Sequence, residues 1–344
     1  MRSRLTSFLT LSALTLLVAS PAALAQSRNR PGMKKLLMNT FDMSNAIIDV
    51  DKLMAPGVPK DGIPALNNPE KTAAVSASFP TMDGRVISVE INGEAVAYPI
   101  GILNFHEAAN DVVGGVPIVV MYCPLCDSAA VADRRVTTKD GKKMTLEFGI
   151  SGFLYNSNMV MYDKASNGIW SQVYMRAMTG PIAGTRLTLL PMRVEPFSKF
   201  IAAHPNGKVL TTNTGYDRPY DRNPYQGYFD DPNAIFQQFG WRDDLPLKTL
   251  GAGIAAGDEA IFVTTAALDE HDGIMTIKTH LGDVTVEHTN AGIATVVDVQ
   301  GVNIMQAYWH SWSAFHPKTR VVAGAGEVKT DQDNDQEDEE KDDR

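Results

Sequence analysis

The chain has two cysteines in 344 residues, too few for the disulfide frameworks that hold small exported domains together. Its stability must come from an apolar core, and a chain this long can bury one large core or two modest ones. It lacks any apolar run of the about 20 residues needed to span a bilayer, so no membrane span is expected. Basic residues are outnumbered, 31 Lys and Arg against 40 Asp and Glu, for a formal net charge of -9. That balance argues against nucleic acid as a partner, because phosphate binding needs clustered cations. No Gly-x-Ser-x-Gly elbow, phosphate loop or dinucleotide fingerprint occurs. Ordinary hydrolase and nucleotide chemistry are left without support.

What is present begins at the N-terminus. Arg2 and Arg4, the apolar stretch Leu5 to Val18, and the small residues Ala23-Leu24-Ala25 form the three parts of a cleavable secretory signal peptide over residues 1–25. An ordinary N-terminal helix would account for the apolar part alone. The mature protein is therefore expected to be periplasmic or secreted. At the other end, residues 326–344 read as a disordered acidic tail, with nine acids and two basic residues between Asp331 and Arg344. Without apolar groups this tail cannot offset the entropy of ordering. It reads as a solvated segment rather than a calcium site.

Between these ends, residues 26–84 are rich in Pro, Gly, Asn and Asp and read as an irregular segment, with a short helix before Pro56. From Arg85 short strands take over. Asn92-Gly93 marks a hairpin turn. Ile100 to Asn110 reads as a helix terminated by Gly114-Gly115, and Val116 to Tyr122 is a β-branched run suited to a buried strand. Further strands to Thr212 complete a first β-rich unit over 85–212. The segment 213–248, aromatic and Pro-rich, is too long for a mere link and is expected to pack as a lid or partner surface. A second β-rich unit spans 249–325. The two units end alike, Phe200-Ile201-Ala202-Ala203-His204-Pro205 being echoed by Trp312-Ser313-Ala314-Phe315-His316-Pro317. The expected fold is mainly β, of α+β type: antiparallel strands with short helices, and an internal duplication suggested by that echo. Cysteine occurs only in the first copy, so any thiol chemistry belongs there.

The sharpest chemical signal is Tyr122-Cys123-Pro124-Leu125-Cys126 after the buried strand. Cys-x-x-Cys brings two sulfurs within reach of one ion, and Pro124 stiffens the turn. Three readings stand: a metal site, copper or zinc, needing further ligands; a thiol–disulfide centre, needing the first Cys at a helix N-terminus; and a local disulfide closing a four-residue loop, worth about 2 kcal/mol and strained. A turn between strands favours the metal knuckle, and Asp127 beside the second sulfur would raise a thiol pKa rather than lower it. His106 is the nearest imidazole and the first choice of third ligand, with His280, His288 and His310 as alternatives. A lone helical histidine is equally well read as a satisfied, partly buried residue. His204 and His316, each before proline, read as helix-end residues. Met159, Met161, Met175 and Met178 would suit copper(I), but methionine at such spacings reads first as core filler.

A functional knuckle needs polar groups around it. The dense sources are Tyr155-Asn156-Ser157 and Trp170-Ser171-Gln172, with Glu107 and Asn110 on the expected helix. Tyr155 or Asn156, and Gln172, are expected within about 10 Å of Cys123 or Cys126. The competing account is that each caps its own turn.

Several motifs together resemble one prokaryotic family. They are Asp61-Gly62-Ile63-Pro64-Ala65, Asn92-Gly93-Glu94-Ala95 with Ala97-Tyr98-Pro99, Asn104-Phe105-His106-Glu107, and Asn110-Asp111 with Gly114-Gly115. Tyr122-Cys123-Pro124-Leu125-Cys126, Ser151-Gly152 with Leu154-Tyr155-Asn156-Ser157, and Trp170-Ser171-Gln172 complete the set. The family is the domain of unknown function 3179, and the resemblance runs from about residue 56 to residue 322. It implies export, adds Asp61 to the residues expected near the site, and brings no defined reaction. One departure is Asp127, where the family usually has Gly. The reading is therefore an exported metal-binding protein, copper or zinc, and an oxidoreductase if the ion is copper with an open coordination position, with a thiol–disulfide protein or a metal-free binding module as alternatives. The partner is expected to be a small molecule or a protein, of a kind the sequence does not define.

Overall fold

Residues 31–325, apart from 235 and 237, together with residue 327, are described by a computed structural model. The expected signal peptide and the acidic stretch from Asp331 lie outside the described residues. In the N-terminal segment, helix α1 (Pro31–Thr40) and strands β1 (Leu66–Asn67) and β2 (Lys71–Ala73) are separated by irregular chain.

The first half then builds in order. β3 (Arg85–Ile91) and β4 (Glu94–Pro99) form a hairpin closed by Asn92-Gly93, whose φ values of 51° and 81° are those of the mirror-image turn that matches strand twist. Helix α2 runs Ile100–His106, four residues shorter than expected. Glu107, at φ 57°, ends it in the left-handed region, and Ala108–Val113 is strand β5. Gly114 and Gly115 both have positive φ and turn β5 into β6 (Val116–Cys123); they close a hairpin rather than cap a helix. β7 (Ser128–Asp133) pairs back along β6. A ribbon of β8 (Arg135–Thr137) and β9 (Lys143–Thr145) leads to a four-stranded sheet of β10 (Phe148–Tyr155), β11 (Asn158–Asp163), β12 (Ile169–Ser171) and β13 (Arg176–Ala177). β14 (Thr188–Leu190), β15 (Arg193–Pro196), helix α3 (Phe197–Ala203) and β16 (Lys208–Leu210) complete this half.

The connector carries one helix, α4 (Gln226–Asp230). The second half is β17 (Leu250–Ala256), β18 (Glu259–Thr264), α5 (Thr265–Asp269), β19 (Ile274–Thr279), β20 (Gly282–His288), β21 (Ile293–Val297), β22 (Val302–Tyr308), α6 (Trp309–Phe315) and β23 (Arg320–Val322). The fold is mostly β, with antiparallel and mixed sheets and short helices.

Two large sheets organise these strands, and their orders match. One reads β1-β5-β6-β7-β22-β17-β18-β23 and the other β19-β20-β21-β15-β3-β4-β16-β2. In each, a three-stranded meander from one half joins a four-stranded set from the other. The last strand of each set is parallel to its neighbour, β16 to β4 and β23 to β18. The halves are thus similar in topology and exchange their meanders. The echoed His204 and His316 both stand as C-caps, of α3 and α6.

Gln306 on β22 bonds to both exchanged meanders. Its Oε1 accepts from Ile293 N at 2.9 Å, and its Nε2 donates to the Asp127 carbonyl at 2.8 Å. Leucine here would leave a buried N–H and a buried C=O unpaired at the crossover. Gln306→Leu should lower the unfolding free energy by about 2–4 kcal/mol, read from the midpoint of a urea transition at unchanged slope. A change below about 0.5 kcal/mol would remove Gln306 from this role.

β6 is buried on both faces, which is why its sequence does not alternate. Val119, Met121 and Cys123 pack toward the four-stranded sheet, while Ile118, Val120 and Tyr122 face the opposite core. The methionines at 159, 161, 175 and 178 are all buried in the first of these clusters. The two cysteines therefore lie where β6 ends beneath the four-stranded sheet.

Candidate functional site

The site begins with the turn. Pro124–Cys126 is one 3-10 turn with proline at its start, and Asp127 leaves it at φ 38°. A non-glycine residue is held in that left-handed conformation by its own side chain. The Asp127 carboxylate accepts from Tyr122 Oη at 2.8 Å and pairs with Arg85 at 3.0 Å. Asp127 thus points away from the sulfurs, toward the opposite face from Cys123.

Both cysteines are buried and free. Their sulfurs are neighbours close enough to hydrogen-bond, and each has one further backbone contact. Cys126 Sγ donates to the Ser157 carbonyl at 3.3 Å, and Cys123 Sγ accepts from Met159 N at 3.4 Å. These contacts exist because β10 and β11 meet in a two-residue turn, Asn156 and Ser157 at φ 49° and 62°. Burial, then Cys126 and then Glu107, push the Cys123 thiol well above its ordinary pKa, so that thiol is neutral.

A polar network lies beside the sulfurs. Ser128 pairs with Cys123 across the turn. Its hydroxyl donates to Gln172 Oε1 at 2.6 Å and accepts from Asn158 Nδ2 at 3.0 Å. Gln172 Nε2 returns to the Ser128 carbonyl at 3.1 Å. Gln172 therefore comes next to the turn through Ser128, and Asn156 adjoins the Ser157 carbonyl that Cys126 touches. Asn156 itself is engaged with Ala314 O at 3.1 Å and with the N–H of Phe239 at 2.9 Å.

Glu107 and the connector close the other side. Glu107 is buried, near enough to Cys123 for their charges to interact, and desolvation pushes its carboxyl up to about 8. Its main chain is locked by Leu103 O and Tyr122 N at 2.8 Å each. Tyr225 sits within electrostatic reach of both Glu107 and Cys123, and Tyr228 Oη donates to the Leu125 carbonyl at 2.6 Å. The aromatic connector is a cover over the cysteine turn.

His310 also reaches this turn. Its ring is buried against the Leu125 carbonyl, yet neither nitrogen makes a hydrogen bond of normal geometry. Burial pushes its pKa down to about 4. His106, the first choice of third ligand, is used elsewhere: Nδ1 meets Pro64 O at 2.8 Å and Nε2 meets Tyr220 Oη at 2.7 Å. Among the described residues no group of three or more His, Cys, Asp and Glu side chains is placed to hold one ion.

Residues 60–303 match a family model described as a protein of unknown function, DUF3179. The chain belongs to that family. No curated protein and no solved structure matches it.

The remaining expected residues of this DUF3179 chain have structural partners of their own. Asn110 clasps Phe148, donating to its carbonyl at 2.8 Å and accepting from its N–H at 2.9 Å. Trp170 Nε1 donates to Asp163 at 2.8 Å, and the exposed Asp61 accepts from Tyr162 Oη at 2.6 Å. Tyr155 lines a large cavity and packs on Phe315. His280 and His288, on the second unit, pair with Glu259 at 3.1 Å and Asp269 at 2.7 Å. Ser128 and Asn158 were missed by sequence reasoning. Ser128 was findable, since a tight β6–β7 turn puts it opposite Cys123; Asn158 needed the packing of one sheet on another.

Proposed function

We propose that the protein is an exported copper(I)-binding protein whose ion is held by the thiolates of Cys123 and Cys126. The observation that carries this is a pair of touching, buried sulfurs on one short turn, with no third acidic, imidazole or thiol group completing a ligand set among the described residues. A structural zinc ion takes four ligands. Copper(I), a soft ion that favours thiolate, is satisfied by two.

Binding would proceed by exchange: copper(I) enters, two S–Cu bonds form, and the two thiol protons leave to solvent. The ion's charge would offset the desolvation that keeps the Cys123 thiol neutral. The His310 ring, buried beside the turn without a hydrogen bond, and the buried Glu107 carboxyl support a site that takes up a charged guest. Thiol–disulfide exchange fits this environment poorly, since it needs a lowered thiol pKa and access. The three-part N-terminal signal supports an extracytoplasmic location.

The test is anaerobic titration of the metal-free protein with copper(I) against a coloured chelator. One ion per chain is expected, with about two protons released at neutral pH and copper(I) held in preference to zinc. Failure to take copper(I) from the chelator, or preference for zinc, would overturn the reading.

A further inference from the structure

A second region of the molecule has the features of a binding site and is separate from the cysteines. A cavity of about 1030 Å³ is lined by Tyr155, Tyr174, Arg176, Arg186, Leu187 and His316, among others. Arg176 and Arg186 are antiparallel bridge partners, which sets their Cα atoms side by side. A methyl group placed on Gly184 would lie 3.3 Å from Lys139 Nζ and 3.4 Å from an Arg176 terminal nitrogen, so a third cation converges there.

None of these three cations has an ion-pair partner among the described residues. Arg176 Nε is buried without a hydrogen bond, and so is His316 Nε2 on the same cavity wall. Unpaired, partly desolvated guanidinium groups side by side are costly unless something anionic joins them. Burial and then the Arg176 charge hold Arg186 below its ordinary pKa, in keeping with that repulsion. Two carboxylates, Asp49 and Asp298, also line the cavity. Asp49 is committed to the N–H of Asp51 at 3.0 Å. Asp298 has its pKa raised by burial, with no cation offsetting that rise. Neither neutralises the arginines.

The apolar walls complete the picture. Tyr174 stands edge-on to Phe315 at 4.8 Å, and His316 stacks on Trp312 at 4.1 Å, so this wall is rigid. We propose that the cavity binds an organic anion, a carboxylate or phosphate monoester, with its charged group on Arg176 and Arg186 and its body against Tyr155, Tyr174 and Leu187. Arginine forks bind such oxyanions bidentately, and desolvation strengthens each bond.

Calorimetric titration of the full chain at low salt tests this, with phenyl phosphate, phenylacetate, inorganic phosphate and neutral benzyl alcohol as probes. Saturable one-to-one binding of phenyl phosphate or phenylacetate is expected; whichever binds tighter identifies the headgroup. Inorganic phosphate should bind more weakly, and benzyl alcohol should not saturate. Arg186→Gln should weaken the organic anion by about tenfold, and Arg186→Lys should retain most of the affinity. Arg186 is exposed, so these variants should fold, which circular dichroism checks. The inference fails if neither organic anion saturates by about 10 mM. It also fails if Arg186→Gln and an Arg176→Gln/Arg186→Gln double variant bind as the parent does, or if benzyl alcohol binds equally well.

Discussion

Cys123→Ser and Cys126→Ser should each weaken copper(I) retention on the order of 100-fold or more, since loss of even an outer-shell partner costs 10- to 100-fold in metal sites. Serine is close to cysteine in volume, but its hydroxyl is a hard donor that stays protonated near neutral pH. The substitution therefore removes a ligand while keeping the packing. At position 126 the hydroxyl can still donate to the Ser157 carbonyl that the thiol meets at 3.3 Å. The metal-free variants should accordingly melt within a few degrees of the parent, a shift corresponding to about 1 kcal/mol or less. Chelator competition on the two variants and the parent measures the effect. Parent-like retention by Cys123→Ser would move the copper site elsewhere, with the methionines the next place to look.

The stability of the metal-free protein should fall steeply as pH drops from about 6.5 toward 4. Burial holds His106, His310 and His316 each down to about 4 in the folded state. Unfolded histidine takes up a proton near pH 6.5. Between those values the unfolded chain binds more protons than the folded one, so stability rises with pH across the window and is complete above about 6.5. The slope is about 1.4 kcal/mol per pH unit for each histidine. Glu107 works the other way. Its folded pKa of about 8 stands above the unfolded 4.5, so the folded state keeps a proton that the unfolded chain releases, and stability declines with pH across that range. The two effects put the maximum near pH 6.5. Urea transitions at pH 4.5, 5.5, 6.5 and 8 test it. His316→Gln, on a helix end away from the cysteines, should flatten the acid limb by about one proton. An acid limb unchanged by that variant, or a maximum displaced above pH 8, would refute the assignment.

Much of the local architecture was legible in advance. Asn92-Gly93 announces its hairpin because few residues tolerate positive φ. The β-branched run of β6 announces burial on two faces, and the His-Pro endings mark two related units. The helix expected through Asn110 failed for a local reason. Gly114-Gly115 is compatible with either a helix end or a hairpin turn, and β6 lying alongside selected the hairpin. Left-handed Glu107 then turned its carboxyl toward the cysteines instead of continuing the helix.

The site divides along the same line. Sequence alone determined the two sulfurs on one proline-stiffened turn, because short-range geometry sets them, and marked residues 213–248 as an aromatic segment too long to be a mere link. Tertiary structure decided the rest. His106 is spent on Pro64 and Tyr220, and His310, 184 residues beyond Cys126, reaches the turn without completing a ligand set. Asn158 and Gln172 arrive by the packing of one sheet over another, and the exchanged meanders bring Gln306 under Asp127. Partners that distant in sequence leave no spacing signal, since their proximity is set by which faces are apolar and how the sheets stack, not by the residues between them.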